Sequence, residues 1–293
     1  MKSRASFREW LLQTIFVGPA LLVFVIIVAL PFVLGLYYSF TDWNGVSEQV
    51  VWIGFGNFQE LISDQGFWDS FGFTVRFTLV AVIITNLVGF ILALILTQNL
   101  KLRNILRTIF FLPNVIGGLL LGFIWQFIFI KGFAAMGEWT GLPFFELAWL
   151  GDATTGFWAV VIVSVWTGSG YLMIIYIASL MNVPADLHEA ASIDGASSWQ
   201  RLRNITIPMI MPAVTICLFL ALSWSFKTFD VILSLTRGGP YNSTQSVALN
   251  IYTEAFQNNR LGLGTAKAIV FFIVVALITT LQVWLTKRRE VEA

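Results

Sequence analysis

Six stretches of this 293-residue chain are each long and apolar enough to cross a bilayer. A spanning helix needs about 20 apolar residues. The runs are residues 13–40, 73–96, 109–129, 156–180, 208–235 and 266–285. Inside hydrocarbon every backbone N–H and C=O must find a partner within the protein, which leaves helices or closed barrels. Continuous apolar runs of this length predict the first: an all-α, polytopic fold with six transmembrane helices. Pro19, Pro31, Pro113 and Pro212 lie within or near the runs, and membrane helices tolerate such breaks where neighbouring groups satisfy the freed carbonyls. Charged residues are 11% of the chain, against about 25% in soluble domains. The first run follows a basic stretch, Met1–Trp10. It is too long for the apolar core of a signal peptide and no small-residue cleavage site follows it, so it reads as a retained first span.

Orientation follows from lysine and arginine in the short connections. Lys2, Arg4 and Arg8 precede span one; Lys101, Arg103 and Arg107 sit between spans two and three; Arg201 and Arg203 sit between spans four and five; Lys287, Arg288 and Arg289 follow span six. These are 11 of the 17 basic residues, all on one side. Residues 41–70 have none and carry Asp42, Glu48, Glu60, Asp64 and Asp69. Both termini are therefore expected in the cytoplasm, and the even number of spans agrees. The opposite connections are rich in aromatics such as Trp43, Trp52, Trp68, Trp139 and Trp149, as expected at a membrane interface.

Several kinds of chemistry are missing. There is no GxxxxGK[ST] phosphate loop. The single histidine, His188, leaves little material for a metal cluster or a His-based triad, and the single cysteine, Cys217, rules out an internal disulfide and a cysteine-rich metal site. No catalytic residues and no metal site are read. The net charge of +1 gives no reason to expect nucleic acid. Paired acids deep in the spans, of the kind that relay protons, are not seen. A carrier without its own fuel needs an outside engine or works as a passive pore.

The longest polar interval on the cytoplasmic side is Glu189–Pro208, EAASIDGASSWQRLRNITIP. Ala190 and Ala191 are small enough for a partner surface to come close. Gly195 lets the chain turn between two short helices without a Cβ clash. Leu187, Ile193, Trp199 and Leu202 are placed to anchor the hairpin on the membrane end of the bundle, and Glu189 is free to meet a basic residue. Pro208 suits the first turn of span five, where a missing N–H costs little. From these residues alone two readings stay open: a docking surface, or an ordinary amphipathic connector with Glu189 solvated.

The stretch resembles the signature loop of permease subunits of bacterial ABC importers that use a substrate-binding protein. Their pattern is E-A-A, three residues, G, nine residues, I-x-L-P. Glu189, Ala190, Ala191, Gly195, Ile205 and Pro208 fall in register, with Ile207 standing where leucine is usual. Flanking matches resemble the sugar-importing branch: Val183-Pro184, Asp186-Leu187, Ile193-Asp194-Gly195-Ala196, Leu235 through Pro240, Ile251-Tyr252, Ala255-Phe256, Gly54 through Phe58, and Arg107-Thr108 with Phe111-Leu112-Pro113. The resemblance covers nearly the whole chain. It implies the type I importer permease fold as a single domain over residues 1–293, with a coupling loop at 184–208. It also implies partners: a second, homologous permease, giving a heterodimer; two cytoplasmic ATPase subunits that carry ATP and Mg; an extracellular or periplasmic sugar-binding protein; and membrane lipid. No cofactor is expected on this chain.

Sugars present hydroxyls on one edge and apolar C–H faces, so their sites combine hydrogen-bonding groups with aromatic platforms. Span four carries Trp166, Thr167, Gly168, Ser169, Gly170 and Tyr171, a pattern of a helix that is open or closely packed. Span five carries Trp224, Ser225, Lys227, Thr228 and Asp230. The expected substrate path is Tyr171, Trp224, Ser225, Thr228 and Asp230, with Lys227 as an orienting partner, because positions three apart on a helix share a face. The competing reading makes the tryptophans packing residues and Lys227–Asp230 a structural pair. Cys217 is expected to pack as a small hydrophobe, His188 to meet the ATPase or solvent, Asn86 and Gln126 to hydrogen-bond across helices, and Arg76 to reach the headgroups. Arg237–Pro240 is a turn signal, which in this family would lie where the binding protein docks. An ion-coupled secondary transporter, an importer permease for a non-sugar solute, and a membrane-embedded enzyme are the alternatives.

Overall fold

The computed structural model describes the backbone of residues 7–288 and the side chains of residues 14–288. Lys2, Arg4 and Arg289, which entered the charge count, lie outside the described residues. Among the described residues five helices are long and apolar enough to span a membrane, and a bent helix pair makes a sixth. The only β pairing among them is an isolated Thr41–Trp52 bridge. The chain divides into two compact units, residues 1–64 with 251–270 and residues 65–250 with 271–293.

In the first unit, α1 (Thr14–Tyr38) buries none of its apolar window. A single π turn at Val25–Ala29, closed by the Leu30 N–H on Val25 O, precedes Pro31. A proline cannot donate to the carbonyl four residues back and its ring crowds that carbonyl, and the wider turn relieves both. Beyond α1 the chain folds over a small aromatic cluster of Phe40, Trp52, Phe55 and Phe58. Asn57, buried in α2 (Gly56–Ser63), donates through Nδ2 to Ser39 O (2.9 Å) and Thr41 O (2.7 Å), so its amide replaces the helical partners those carbonyls lack. The same unit holds residues 261–270 of α12 (Leu261–Lys287). There Gly262 lies against Thr41 O, and a Cβ at Gly264 would sit 2.7 Å from Ala255 Cβ.

In the second unit, α3 (Gln65–Leu96) and α6 (Ala153–Leu180) form the central pair. They run parallel: Phe73 meets Phe157 edge-on near one end, and Tyr176 donates to Asn86 Oδ1 (2.8 Å) nearer the other. Parallel packing is what two spans entered from the same side require. Close approach comes from small residues. A Cβ at Gly89 would sit 3.0 Å from Ser169 O, and one at Gly168 would sit 3.0 Å from the Thr85 methyl. Gly170 lies directly on the Phe110 carbonyl of α4 (Arg103–Val115). The span-four glycines thus serve close packing. Leu172, Met173, Ile210, Cys217 and Ala93 are among the buried apolar residues of this core, with Cys217 packed as expected.

Two expected spans are not continuous. The 109–129 run breaks at Ile116–Gly117, where the backbone turns extended (ψ 128° and 140°), and a new helix, α5 (Gly118–Thr140), continues well past Phe129. Pro113 and the Gly117-Gly118 pair explain the break. The 208–235 run is cut twice. The helix α8 (Ser198–Met209) meets α9 (Met211–Phe226) at 72°, because Pro212 can neither donate to the turn before it nor avoid that turn's carbonyl. At its other end α9 stops at Phe226, and a one-and-a-half-turn helix, α10 (Asp230–Leu235), follows. The second span also starts earlier than expected, at Gln65 instead of residue 73.

Candidate functional site

The polar interval folds as a helical hairpin. Helix α7 (Ala185–Ile193) ends at Asp194, and Gly195 takes φ +78°. The Ala196 N–H reaches back to Ala191 O (2.9 Å) and the Gly195 N–H to Ser192 O (3.2 Å). This closure satisfies the last carbonyls of α7 and needs a left-handed residue, hence glycine. The next helix starts on a capping box: Ser197 Oγ accepts from the Gln200 N–H (3.3 Å), and Gln200 Oε1 accepts from the Ser197 N–H (2.7 Å). Arg201 fastens the two arms, donating to Ser192 Oγ (3.4 Å) and Ser198 Oγ (3.3 Å). A π turn at Leu202–Thr206 then leads to Pro208. Ile205 and Pro208 are half-buried, whereas Glu189 and Ala190 are exposed and Ala191 half-buried.

One expectation for this hairpin is corrected. Leu187, Ile193 and Trp199 do not anchor it to the bundle. They are exposed, Ile193 at 87% and Trp199 at 67%, and only Leu202 is half-buried. Capping and the arginine clasp hold the hairpin, so these apolar side chains are left on its surface. Glu189 makes no hydrogen bond or ion pair among the described residues. An exposed apolar patch rimmed by polar groups is the signature of a contact surface.

A cavity of about 450 Å³ lies in the second unit where α9 breaks. Trp224, Ser225, Lys227, Thr228 and Asp230 line it, together with Phe77 and Thr85 of α3, Asn114 of α4, Gly118 of α5, and Ser164 and Thr167 of α6. Tyr171 is not in the lining. Its ring meets Trp224 edge-on at 5.1 Å and stacks on Phe111 at 6.3 Å, so it stands behind Trp224 and fixes that ring's position. The expected Lys227–Asp230 pairing is absent. Lys227 has left the helix (φ −89°, ψ 13°) and Phe229 turns the chain again (φ −133°, ψ −60°), so the two no longer share a helix face. Neither makes an ion pair among the described residues. Instead Asp230 and Ser234 sit over a Gly118-xxx-Gly122 stripe of α5: a Cβ at Gly118 would stand 2.9 Å from Asp230 Cβ, and Gly122 lies under Ser234 Oγ. Gln126 Nε2 donates to Leu235 O (3.1 Å). The broken segment is thereby pinned against α5, with the cavity between them and α3.

Asn114, Ser164, Thr85 and Phe77 were not singled out from the sequence. For Asn114 a signal exists, a polar residue directly after Pro113 at the end of an apolar helix. For Thr85 and Ser164 there is none, since a lone hydroxyl in a span more often back-bonds to its own helix.

Comparison with known proteins gives this geometry its context. The sequence profile described as "binding-protein-dependent transport system inner membrane component" matches residues 85–291. The chain belongs to this family. It is 47% identical over 291 residues, 99% of each chain, to the "probable starch degradation products transport system permease protein AmyD" of Thermoanaerobacterium thermosulfurigenes. It is 34% identical to the "multiple sugar-binding transport system permease protein MsmF" of Streptococcus mutans, over 89% of this chain and 90% of that one. Among solved structures, a bacterial ABC transporter that imports the acidic polysaccharide alginate superposes with a TM-score of 0.84 at 24% identity, over 96% of both chains, a likeness of fold. As an inner membrane component of a binding-protein-dependent transport system, the chain is a multi-pass permease subunit of the bacterial plasma membrane. This membership sets aside the ion-coupled secondary transporter and the membrane-embedded enzyme.

Proposed function

We propose that this permease subunit carries a sugar or oligosaccharide through the cavity at the α9 break, in an ATP-driven importer whose engine grips the 184–208 hairpin. The observation that carries the cargo assignment is the cavity lining: the exposed indole of Trp224 stands with the hydroxyl and amide groups of Ser225, Thr228, Thr167 and Asn114. That is the pairing of platform and hydrogen-bonding edge a pyranose needs. The names of the relatives, which concern starch degradation products and multiple sugars, support the same class. A volume near 450 Å³ sits within the common range for small-molecule sites, about 300–1,000 Å³.

The hairpin is read as the coupling element. Glu189, Ala190, Ala191 and the exposed Ile193 and Trp199 would seat in a cleft of a cytoplasmic ATPase subunit. Two such subunits, binding ATP and Mg, would close on this hairpin and on the hairpin of a second, homologous permease. That closure would rock the bundle between inward-open and outward-open states. An external binding protein would deliver the sugar to the outward mouth. Co-expression with the partner subunits, reconstitution in proteoliposomes and uptake of labelled maltose and maltotriose tests the whole reading. ATP-dependent uptake that needs the binding protein is expected. Uptake by this chain alone, or none of any sugar by the full assembly, would overturn it.

A further inference from the structure

A second cleft, about 1170 Å³ in volume, opens in the same compact unit and shares no lining residue with the inner cavity. It is built from residues 66–80 of α3, residues 153–157 of α6 and residues 241–245 of the loop after α10. Because α3 and α6 run parallel, and α6 leads from Leu180 into the coupling hairpin, this cleft lies at the end of the pair away from that hairpin. It is therefore on the side from which cargo would arrive.

The loop that closes the cleft is held in costly backbone geometry. Arg237, Tyr241 and Asn242 have φ of +54°, +51° and +60°, a region L side chains rarely adopt and one that persists only where surrounding structure enforces it. Here buried Thr244 enforces it: its Oγ1 lies 2.7 Å from Gly239 O and 2.8 Å from Thr236 Oγ1, and its N–H donates to Gly238 O (3.0 Å). Ser70 Oγ donates to Gln245 Oε1 (3.1 Å), tying the loop to α3. The product of this scaffolding is Tyr241 at 102% exposure, an aromatic ring that touches no other ring among the described residues. Around the same cleft stand Trp68, Asp69, Arg76 and Asn242. Arg76 spends only Nε, on Gly72 O (3.2 Å), which leaves both terminal guanidinium nitrogens for a ligand. Ser243 Oγ lines the cleft buried and without a hydrogen-bond partner.

We propose that this cleft is an outer oligosaccharide-contact site, separate from the inner cavity, which holds part of a polyhydroxylated chain before the sugar passes inward. Tyr241 and Trp68 supply flat apolar faces for pyranose rings, while Arg76, Asp69 and Asn242 supply planar polar groups for paired hydroxyls. Opposite charges on Arg76 and Asp69 suit a neutral sugar, and the volume suits a longer chain than the inner cavity takes. The proposal rests on the sugar reading given above.

The test uses the full transporter assembled with its partner subunits in nanodiscs. Saturation-transfer NMR titrations with maltose, maltotriose and maltoheptaose are run on the wild type, Y241A, Y241F, R76A and W224A, alongside affinity for the binding protein and sugar uptake. Y241A and R76A are each expected to weaken maltoheptaose binding about tenfold, the loss of roughly one good ring or charge-assisted contact. They should change maltose binding little and leave binding-protein affinity alone, and Y241F should bind as wild type. Unchanged maltoheptaose binding in both variants overturns the site. So does a loss confined to binding-protein affinity, which would make the cleft a protein-docking surface. In either case an uptake defect in W224A would leave the inner sugar path standing. A wild-type complex that binds none of the three sugars, with W224A uptake unaltered, sinks both readings.

Discussion

Lys267 and Asp64 form an ion pair at 2.6 Å in which the lysine side chain is fully buried. A second carboxylate, Glu254, stands 2.8 Å from the same ammonium on its Oε2. Arg260 extends the group, with one guanidinium nitrogen on both oxygens of Glu60 (2.6 and 2.5 Å) and another 3.5 Å from Glu254. The Glu60 hydrogen bond pushes the Arg260 guanidinium above its usual range. A buried ammonium without counter-charges carries a large desolvation cost, and the two carboxylates supply those counter-charges. The network fastens the end of α2, the segment after α11 (Val247–Tyr252) and the start of α12.

Removing one partner from this group leaves a charge stranded. Lys267→Met is expected to destabilise the protein by about 3–5 kcal/mol, the usual cost of breaking a buried pair from one side. Adding Asp64→Asn and Glu254→Gln to that variant should recover part of the loss. Thermal unfolding of the detergent-solubilised protein measures both, and a triple variant no better than the single one would rule the mechanism out.

The hairpin predicts a separation of folding from assembly. Ile193→Ser and Trp199→Ala remove exposed side chains, so unfolding temperature should stay within the range of ordinary surface changes, about ±0.5 kcal/mol. Co-purification of the ATPase subunits should nevertheless fall sharply, as truncation of central apolar anchors costs about 2 kcal/mol or more at interfaces. Glu189→Lys with Gly195→Pro should abolish both assembly and uptake. If the ATPase still co-purifies and transport continues, the coupling role is wrong.

The inner cavity predicts an effect on transport without loss of fold. Trp224→Ala should raise the KM for sugar uptake about tenfold, because it removes an aromatic platform. Tyr171→Phe should be mild, since only the ring is used against Trp224. Asp230→Asn should lower uptake while preserving packing over Gly118. Full uptake at limiting sugar in Trp224→Ala and Asp230→Asn would place the path elsewhere.

Close helix contacts predict intolerance of a single methyl. Gly170→Ala sets a Cβ against the backbone carbonyl of Phe110, which no side-chain rotation can relieve. Overpacking of this kind costs about 1–3 kcal/mol. Gly35→Ala, where nothing lies near, is the control and should unfold like wild type. Equal melting temperatures for the two variants would show that α4 and α6 are free to part.

Much of this was readable from the chain. Long apolar runs announce spanning helices because hydrocarbon forces internal hydrogen bonding. Glu189 through Pro208 announces a loop of stated spacing, and Gly195 its turn, because a left-handed position admits glycine far better than a side chain. Asn86 and Gln126 do bond across helices, to Tyr176 and Leu235, as amides in spans do. Trp224 through Asp230 announced a polar interruption, and six of its members line one cavity.

Other features depended on the chain's three-dimensional closure. Whether a proline bends a span, as at Pro212, or is absorbed by a π turn, as at Pro31, depends on what the surrounding carbonyls can reach. Lys227 and Asp230 are three apart on paper, yet the helix ends between them because Asp230 is seated on Gly118 of another helix. Ile193 and Trp199 read as anchors, yet capping bonds hold the hairpin and leave them outside. Lys267 was not singled out in the sequence; its partners Asp64 and Glu254 come from other elements. Local sequence determines periodicity, turns and caps, since those arise from each residue's own backbone and near neighbours. Cavities, buried ion groups and exposed faces are decided by which distant elements meet, and that only the packed fold supplies.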